Sequence, residues 1–359
     1  MRIAICGGGV VGASLAYYLS LGGADVVLIE RDQIAGGASG KSGGFLALDW
    51  CDGSALAQLA RRSFALHEEL AETFGNPWGY RRLDTYGAFA PATSTPGESG
   101  RADHRVWLNK SVATYRQLGT VSTTAQVTPD AFTRGMVDQA VMRGASVQIG
   151  QVTGIVQDQG SGRVSGVEIG GRPYEADAVV ITMGPWSAQA RRWMPMRDVL
   201  GLMGHSVLLK PTTSIPAEAL FLELEGQDGS SDTPEVFPRP DGTVYVCGLS
   251  TNAVLPDDPR EVRTDPMSTS RLRIMAAAIS PLLADAELLA AHACYRPVTR
   301  DGLPLMGAVP HIDGAFVATG HSVWGMLNAP ASGEAMAALI LKGQSSGVDL
   351  TPFDPGRAV

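Results

Sequence analysis

The chain has 359 residues, 45% hydrophobic and 18% charged, enough for one large domain or two modest ones. A formal charge of −8, a pI near 5.3 and the lack of any basic run argue against a nucleic-acid partner. Scattered cysteines without a CxxC pair, histidines without ligand spacing and no apolar run of membrane length exclude a disulfide framework, a metal centre and a spanning helix, and make a reducing cytoplasm the default.

The opening, MRIAICGGGVVGASLAYYLSLGGA, has the outline of a signal peptide. Glycines break its apolar stretch, however, and the β-like run ADVVLIE follows at once, so it reads as folded structure. Residues 2–6 form a short apolar strand, 10–21 a helix closed by Gly22-Gly23, and 25–30 a second strand. A long helix is expected over 54–74, with Ser54 as N-cap, Leu56, Leu59, Phe64, Leu70 and Phe74 at helical spacing, and Gly75 as the stop. The polar stretch STPGESGRADH, 94–104, reads as a mobile loop. TPDAFTRGMVDQAVMRGA predicts a helix capped by Thr128, with Pro129 first, ending at Gly144. ADAVVITMGPWSA is a third buried strand running into a glycine turn. HSVLLK and TVYVCG lie in a β-rich region over 203–249 that contains turns such as Pro240-Asp241-Gly242. A helix is expected over about 267–290, then the strand GAFVATG, then a last helix over about 330–342. Three separate pieces of β-α-β material with antiparallel-looking chain between them predict a discontinuous nucleotide-binding domain carrying an insertion.

The first motif is ICGGGVVG, with Gly7-x-Gly9-x-x-Gly12 between strand and helix. Such glycines allow a tight turn, close approach of backbone to a pyrophosphate and close helix–strand packing. The helix N-terminus then offers free N–H groups and a positive dipole end. Glu30 ends the second strand 18 positions after Gly12, placed to accept hydrogen bonds from a ribose. A second loop, AGGASGKSGG at 35–44, imitates a P-loop in Gly40-Lys41-Ser42. It fails as one, because Ala35 stands where glycine is needed, RDQIA ahead is no buried strand, and another glycine pair follows instead of a helix.

Glu30 followed by AGGASGKSGGF resembles the FAD-dependent D-amino-acid oxidase superfamily, the glycine and sarcosine oxidase group. VTPDAFTRGMVDQAVMRGASV, ADAVVITMGPWSA, FPRPDGTVYVCG, CYRPVTRDGLPLMG and GHSVWGMLNAPASGEAMAALI agree, in the family's order and over nearly the whole chain. The resemblance implies an α/β fold: a Rossmann-type, glutathione-reductase-like FAD-binding domain over 1–82, 126–200 and 291–359. Inserted in it would be an α+β substrate domain on an antiparallel sheet, 83–125 plus 201–290. It implies FAD contacts at Gly7, Gly9, Val10, Val11, Gly12, Glu30 and Arg31, and along Ser39, Gly40, Lys41, Ser42, Gly43 and Gly44. Further contacts are implied at Val152, Gly184, Trp186, Cys294 and Arg296, and at the turn Gly320, Ser322, Val323, Trp324, Gly325, Met326. The helix N-terminus after that turn would face the flavin pyrimidine, where its dipole stabilises negative charge on reduced flavin.

Arg296 sits where amino-acid-oxidising relatives carry the arginine that grips the substrate carboxylate; a structural ion pair is the alternative. Cys294 falls where sarcosine-oxidase relatives bond covalently to the flavin, whereas glycine-oxidase-like relatives with the same Arg-Pro pattern lack the bond. The oxygen-activating lysine of sarcosine-oxidase-type members has no counterpart in TVYVCG, 243–248, which leaves Lys41 as its substitute, as a phosphate contact or as a solvated surface charge. Tyr245 and Trp50 are pocket candidates, Trp324 a flavin wall or core aromatic, and His205 a strand-end residue. Arg296, Lys41 and Tyr245 are thus the catalytic candidates. The implied reaction passes hydride from the α-carbon of a neutral amine or amino acid to flavin N5, giving an imine, with oxygen as acceptor and hydrogen peroxide as product. The alternatives are a flavin dehydrogenase of an amine or 2-hydroxy acid with another acceptor, and a non-catalytic flavin-binding protein.

Overall fold

Strand Arg2–Cys6 buries its last four side chains completely, and its parallel neighbours Ala178–Ile181 and Asp25–Glu30 are apolar through their centres. A strand covered on both faces has no solvent side, so it needs continuous rather than alternating hydrophobicity. The computed structural model describes residues 1–91, 105–225 and 231–358; the expected mobile loop at 94–104 lies outside the described residues. These strands form the middle of a six-stranded sheet, ordered Leu305–Ala308, Ala315–Thr319, Ala178–Ile181, Arg2–Cys6, Asp25–Glu30, Ser146–Ile149. Only the first pairing is antiparallel. Ile3, Ile5, Val26 and Leu28 face a core shared with helices Val10–Leu21, Pro129–Val141 and Gly325–Lys342. Ala4, Cys6, Val27 and Ile29 face Val152, Val164 and Val167 of a three-stranded antiparallel sheet over Val152–Glu175. This is the Rossmann-type sheet the sequence leads one to expect.

The second large sheet has eight strands. In order they are Glu287–Val298, Leu200–Lys210, Val244–Thr251, Glu235–Pro238, Glu218–Glu225, Asp84–Ala90 and Ala113–Gly119, with short Ser231–Asp232 beside Glu218–Glu225. All pairings are antiparallel except that of Glu218–Glu225 with Asp84–Ala90. Helix Pro266–Ile279 packs Leu272, Met275 and Ile279 on Val207, Leu209, Val244 and Val246, which leaves the opposite face for the site.

Several expected element bounds and caps need correction. The helix over 267–290 stops at Ile279, because Ser280-Pro281 cannot continue it; Ser280 Oγ caps a single turn, Pro281–Ala284, and Glu287 onward pairs with Leu200–Lys210. Strand pairing overrides the helix propensity of ELLAA. Ser54 does not cap the second helix, which starts at Ala57; its hydroxyl donates to Cys51 O and accepts from Leu56 N in a preceding turn. Thr128 does occupy the N-cap position before Pro129, but without a side-chain hydrogen bond.

The last helix begins at Gly325, earlier than expected, and runs through Pro330. Proline removes the N–H that would bond Met326 O and pushes that turn apart. Helix Ala57–Phe74 repairs the break: His67 Nε2 donates to Met326 O at 3.0 Å and Leu327 O at 3.2 Å, and Ser63 Oγ accepts from Ala331 N at 3.1 Å.

Candidate active site

The β-α-β turn is tight for a visible reason. Gly7 has φ +117°, and a Cβ there would lie 2.5 Å from Thr182 O; a Cβ on Gly12 would lie 2.1 Å from Gly7 O. Only glycine lets helix Val10–Leu21 approach the strand end this closely. Gly9, its N-cap, has no side chain to cap with, so Val10 N donates to Ser39 Oγ at 2.9 Å and draws the 35–44 loop over the helix terminus. Glu30 closes the strand with Oε2 accepting from Gly8 N at 2.7 Å and Oε1 from Asp32 N at 3.0 Å. Arg31 ties this corner to Asp257 O and Gln189 Oε1, while Trp186 Nε1 donates to Pro256 O.

The second loop forms a short turn, Ala38–Gly40, and its glycines serve close packing. A Cβ on Gly43 would meet the Phe237 ring at 2.5 Å, one on Gly44 Val127 O at 2.0 Å, and one on Gly40 Ala35 O at 2.4 Å. Ser42 Oγ is buried without a protein partner. Lys41 Nζ donates to Ala293 O at 3.4 Å, and Lys41 O accepts from Tyr245 Oη at 3.0 Å. Tyr245 stacks on Phe237 in an aromatic cluster with Phe45, Phe221 and Trp50, and burial pushes its hydroxyl well above the usual tyrosine range. At the C-terminal turn Gly320 has φ +81° and Ser322 φ +51°, a conformation rare for a residue with a Cβ. Buried His321 meets Ser332 Oγ at 2.9 Å, and burial pulls its imidazole down to about 4.

One cleft between the two large sheets takes in most of the residues expected from sequence. Gly7, Gly9, Val10, Val11, Glu30, Arg31, Ser39, Ser42, Gly43, Val152, Gly184 and Trp186 line its Rossmann side. Tyr245, Cys294 and Arg296 line the antiparallel side, and Gly320, Ser322, Val323, Gly325 and Met326 the C-terminal turn. Gly12, Gly40, Lys41, Gly44 and Trp324 do not line it. Three of these are packing glycines; Trp324 turns to Trp50, centroids 6.5 Å apart, and Lys41 reaches the strand beside Cys294. His205 touches the cleft, yet its charge partner is Asp265, at the start of helix Pro266–Ile279 on the far face.

Chain alternation assembles the antiparallel wall. Cys294 and Arg296 are two apart on one strand, opposite Gly204 and Leu202. Tyr245 and Cys247 are two apart on another, opposite Phe237 and Glu235. Arg296 Nη2 donates to Ser250 Oγ, and its Nε is buried without a partner. The guanidinium lies over Gly204, where a Cβ would be in ordinary contact with it at 3.5 Å from Nη2. Burial raises the Cys294 thiol, with Lys41 and Arg296 pulling the other way. Glu235, Cys247 and Ser250 also line the cleft and were not singled out from sequence. The one signal for Glu235 was an acid two residues before Phe237 in the β-run EVFP.

Residues that fit FAD are therefore in place. The Gly7–Gly9 turn and helix N-terminus suit a pyrophosphate, Glu30 a ribose, and unpartnered Ser42 Oγ a further polar atom. A Rossmann sheet whose phosphate-binding turn opens onto a cleft walled by an antiparallel sheet defines a dinucleotide-dependent oxidoreductase. The FAD dependent oxidoreductase (DAO) family model matches residues 2–339, and the chain belongs to that family. It is an FAD-dependent oxidoreductase. The glycine oxidase of Geobacillus kaustophilus is 25% identical over 99% of this chain and 97% of its own. An uncharacterized oxidoreductase of Bacillus subtilis is 26% identical, covering 99% of this chain and 98% of its own. The crystal structure of glycine oxidase from Geobacillus kaustophilus has the same fold, with a TM-score of 0.82 at 24% identity over 100% of this chain and 99% of that one. Among the described residues no helix is long and apolar enough to cross a membrane, and no group of side chains is placed to hold a metal.

Proposed function

We propose that the protein oxidises an amino acid at its α-carbon, producing an imine that hydrolyses, with oxygen as the final acceptor. The observation that carries this reading is Arg296, a guanidinium in the cleft wall whose Nε is buried and unpartnered. A buried donor left unsatisfied costs about 1–3 kcal/mol, more for a charged group, and a substrate carboxylate relieves that cost bidentately. Bound FAD supplies the two-electron acceptor for the α-hydrogen and its electron pair. The chain itself does the rest. Arg296 fixes the carboxylate, which orients the α-carbon into the cleft. Tyr245, backed by the Phe237 ring, gives that cleft an apolar face against which the α-carbon can lie. We further propose that FAD is held without a covalent bond. The thiolate is the nucleophile of cysteine, and burial favours the neutral Cys294 thiol. The four cysteines are unpaired, which supports a reducing, cytoplasmic location.

The test is an anaerobic screen in which amino acids and secondary amines are mixed with the yellow holoprotein and bleaching of the flavin is followed. Bleaching by at least one amino acid, with the colour released to the supernatant on acid precipitation, is the expected result. No bleaching by any amine points instead to a non-catalytic flavin-binding protein, and colour kept in the pellet overturns the non-covalent reading. A dehydrogenase remains the second reading because strand Val244–Thr251 carries no lysine. Faster turnover with an artificial acceptor than under air favours it.

A further inference from the structure

The cleft contains two charged side chains that each hold a neutral protein partner instead of one another. Arg296 donates to the hydroxyl of Ser250, and the Glu235 carboxylate accepts from the Cys247 thiol at 3.4 Å. Both residues line the same cleft, on the same antiparallel wall. Glu235 and Cys247 are directly opposite in the ladder, so the carboxylate is fixed by strand register as well as by the thiol. A thiol is a weak donor and leaves most of a carboxylate's hydrogen-bonding capacity unused. Burial pushes the titration of this carboxyl up, with the Cys247 thiol and then Arg296 pulling the other way, so on its own it is a poor structural element. It gains a purpose when a cation arrives.

We propose that Glu235 recognises the substrate's amino group while Arg296 holds its carboxylate, so that the cleft selects a zwitterionic amino acid over the 2-hydroxy acid of the same shape. This rests on the proposed function, specifically on Arg296 as the carboxylate site. The two charges then act as a pair across the substrate, each completing what its thiol or hydroxyl partner leaves unfilled. A hydroxy acid presents no ammonium to Glu235 and brings its own negative charge into a wall that already holds one. A site built to bond a polar group rejects the analogue lacking it more strongly than an apolar pocket does.

The experiment uses holoprotein under anaerobic conditions, with the flavin spectrum reporting binding and reduction separately. Glycine, N-methylglycine and D- and L-alanine are titrated against glycolate and D- and L-lactate. The wild type is expected to bind at least one amino acid more tightly than its hydroxy analogue. Glu235→Gln, which keeps shape and removes charge, is expected to weaken that amino acid by roughly tenfold to a hundredfold while leaving the hydroxy acid unchanged or tighter. Glu235→Asp, with the charge retained on a shorter arm, is expected to fall between. Equal weakening of both ligand classes, no weakening, or a wild type that binds hydroxy acids as well as amino acids or binds neither, overturns the proposal. Arg296→Met separates the two layers: loss of both ligand classes supports the carboxylate site. Retention of both there sinks that site, while an amino-acid-selective loss in Glu235→Gln would still stand.

Discussion

Lys41 holds a positive charge just behind the cleft wall. Its ammonium donates to Ala293 O, one residue before Cys294, and its charge acts on both Cys294 and His292. We propose that this fixed cation favours the transfer of electrons to oxygen by stabilising the negative charge that develops. Lys41→Met is then expected to slow reoxidation of the reduced flavin by oxygen about tenfold or more, with anaerobic reduction by substrate unchanged. Stopped-flow mixing of reduced protein with oxygenated buffer measures it, and an unaltered rate removes the role. Residues of this kind divide sharply in how far the sequence reveals them. Glu30 and Ser39 both meet the turn at the start of helix Val10–Leu21 from the β-α-β unit and the loop directly after it, so the N-terminal motif carries them. Glu235 faces the cleft because it stands opposite Cys247 in one hairpin and Phe221 in the next strand, and which side of that hairpin meets the cleft is decided by the fold around it, not by the pattern EVFP.

At the scale of elements, the N-terminal strand, turn and helix act as one part. Gly12→Ala would set a Cβ 2.1 Å from Gly7 O and 2.7 Å from Thr182 Oγ1, and neither atom can retreat, since Thr182 Oγ1 itself bonds Cys6 O and Gly7 O. The helix must shift away from the strand end, moving the N–H groups that would meet the pyrophosphate. The variant is expected to purify with little or no flavin and to lose about 1–3 kcal/mol of stability. Absorbance at the flavin bands and a urea titration check both, and stoichiometric flavin in a stable variant contradicts the close-packing account. Helices and strands with a purely local reason to exist were legible: Pro129 and Gly144 bracket one helix, and buried runs mark the parallel strands. The start of the strand at 287–290 was not, because its strand state depends on a partner some eighty residues upstream. The division into a cofactor-binding and a substrate domain is itself our proposal. We set its last boundary after Val298, where the shared strand ends, in place of 290/291.

For the whole molecule, two buried histidines link stability to pH. His67 and His321 are wholly enclosed, and burial is the main cause that pulls each imidazole down to about 4. In the unfolded chain each titrates near 6.5, so between those values the unfolded state takes up protons that the folded state refuses. The contribution is therefore complete above about pH 7 and shrinks as pH falls towards 4. At pH 5 the loss is roughly 2 kcal/mol for each histidine. Urea unfolding at pH 7.5 and 5 is expected to show it, and His67→Gln, which keeps a donor without the titration, should remove roughly 2 kcal/mol of the difference. An identical difference in that variant would place its origin elsewhere.

The break at Pro330 has a historical consequence. While proline stands there, His67 is the donor for the Met326 and Leu327 carbonyls, and losing it strands both in the core. If position 330 first takes a residue with an N–H, that residue supplies Met326 with a donor, Ala331 N can turn back from Ser63 to Leu327, and position 67 is released. The two sites can thus diverge among descendants in one order and not the other. Lineages that keep the proline should keep a donor at 67, and histidine should drift only where the proline has already gone.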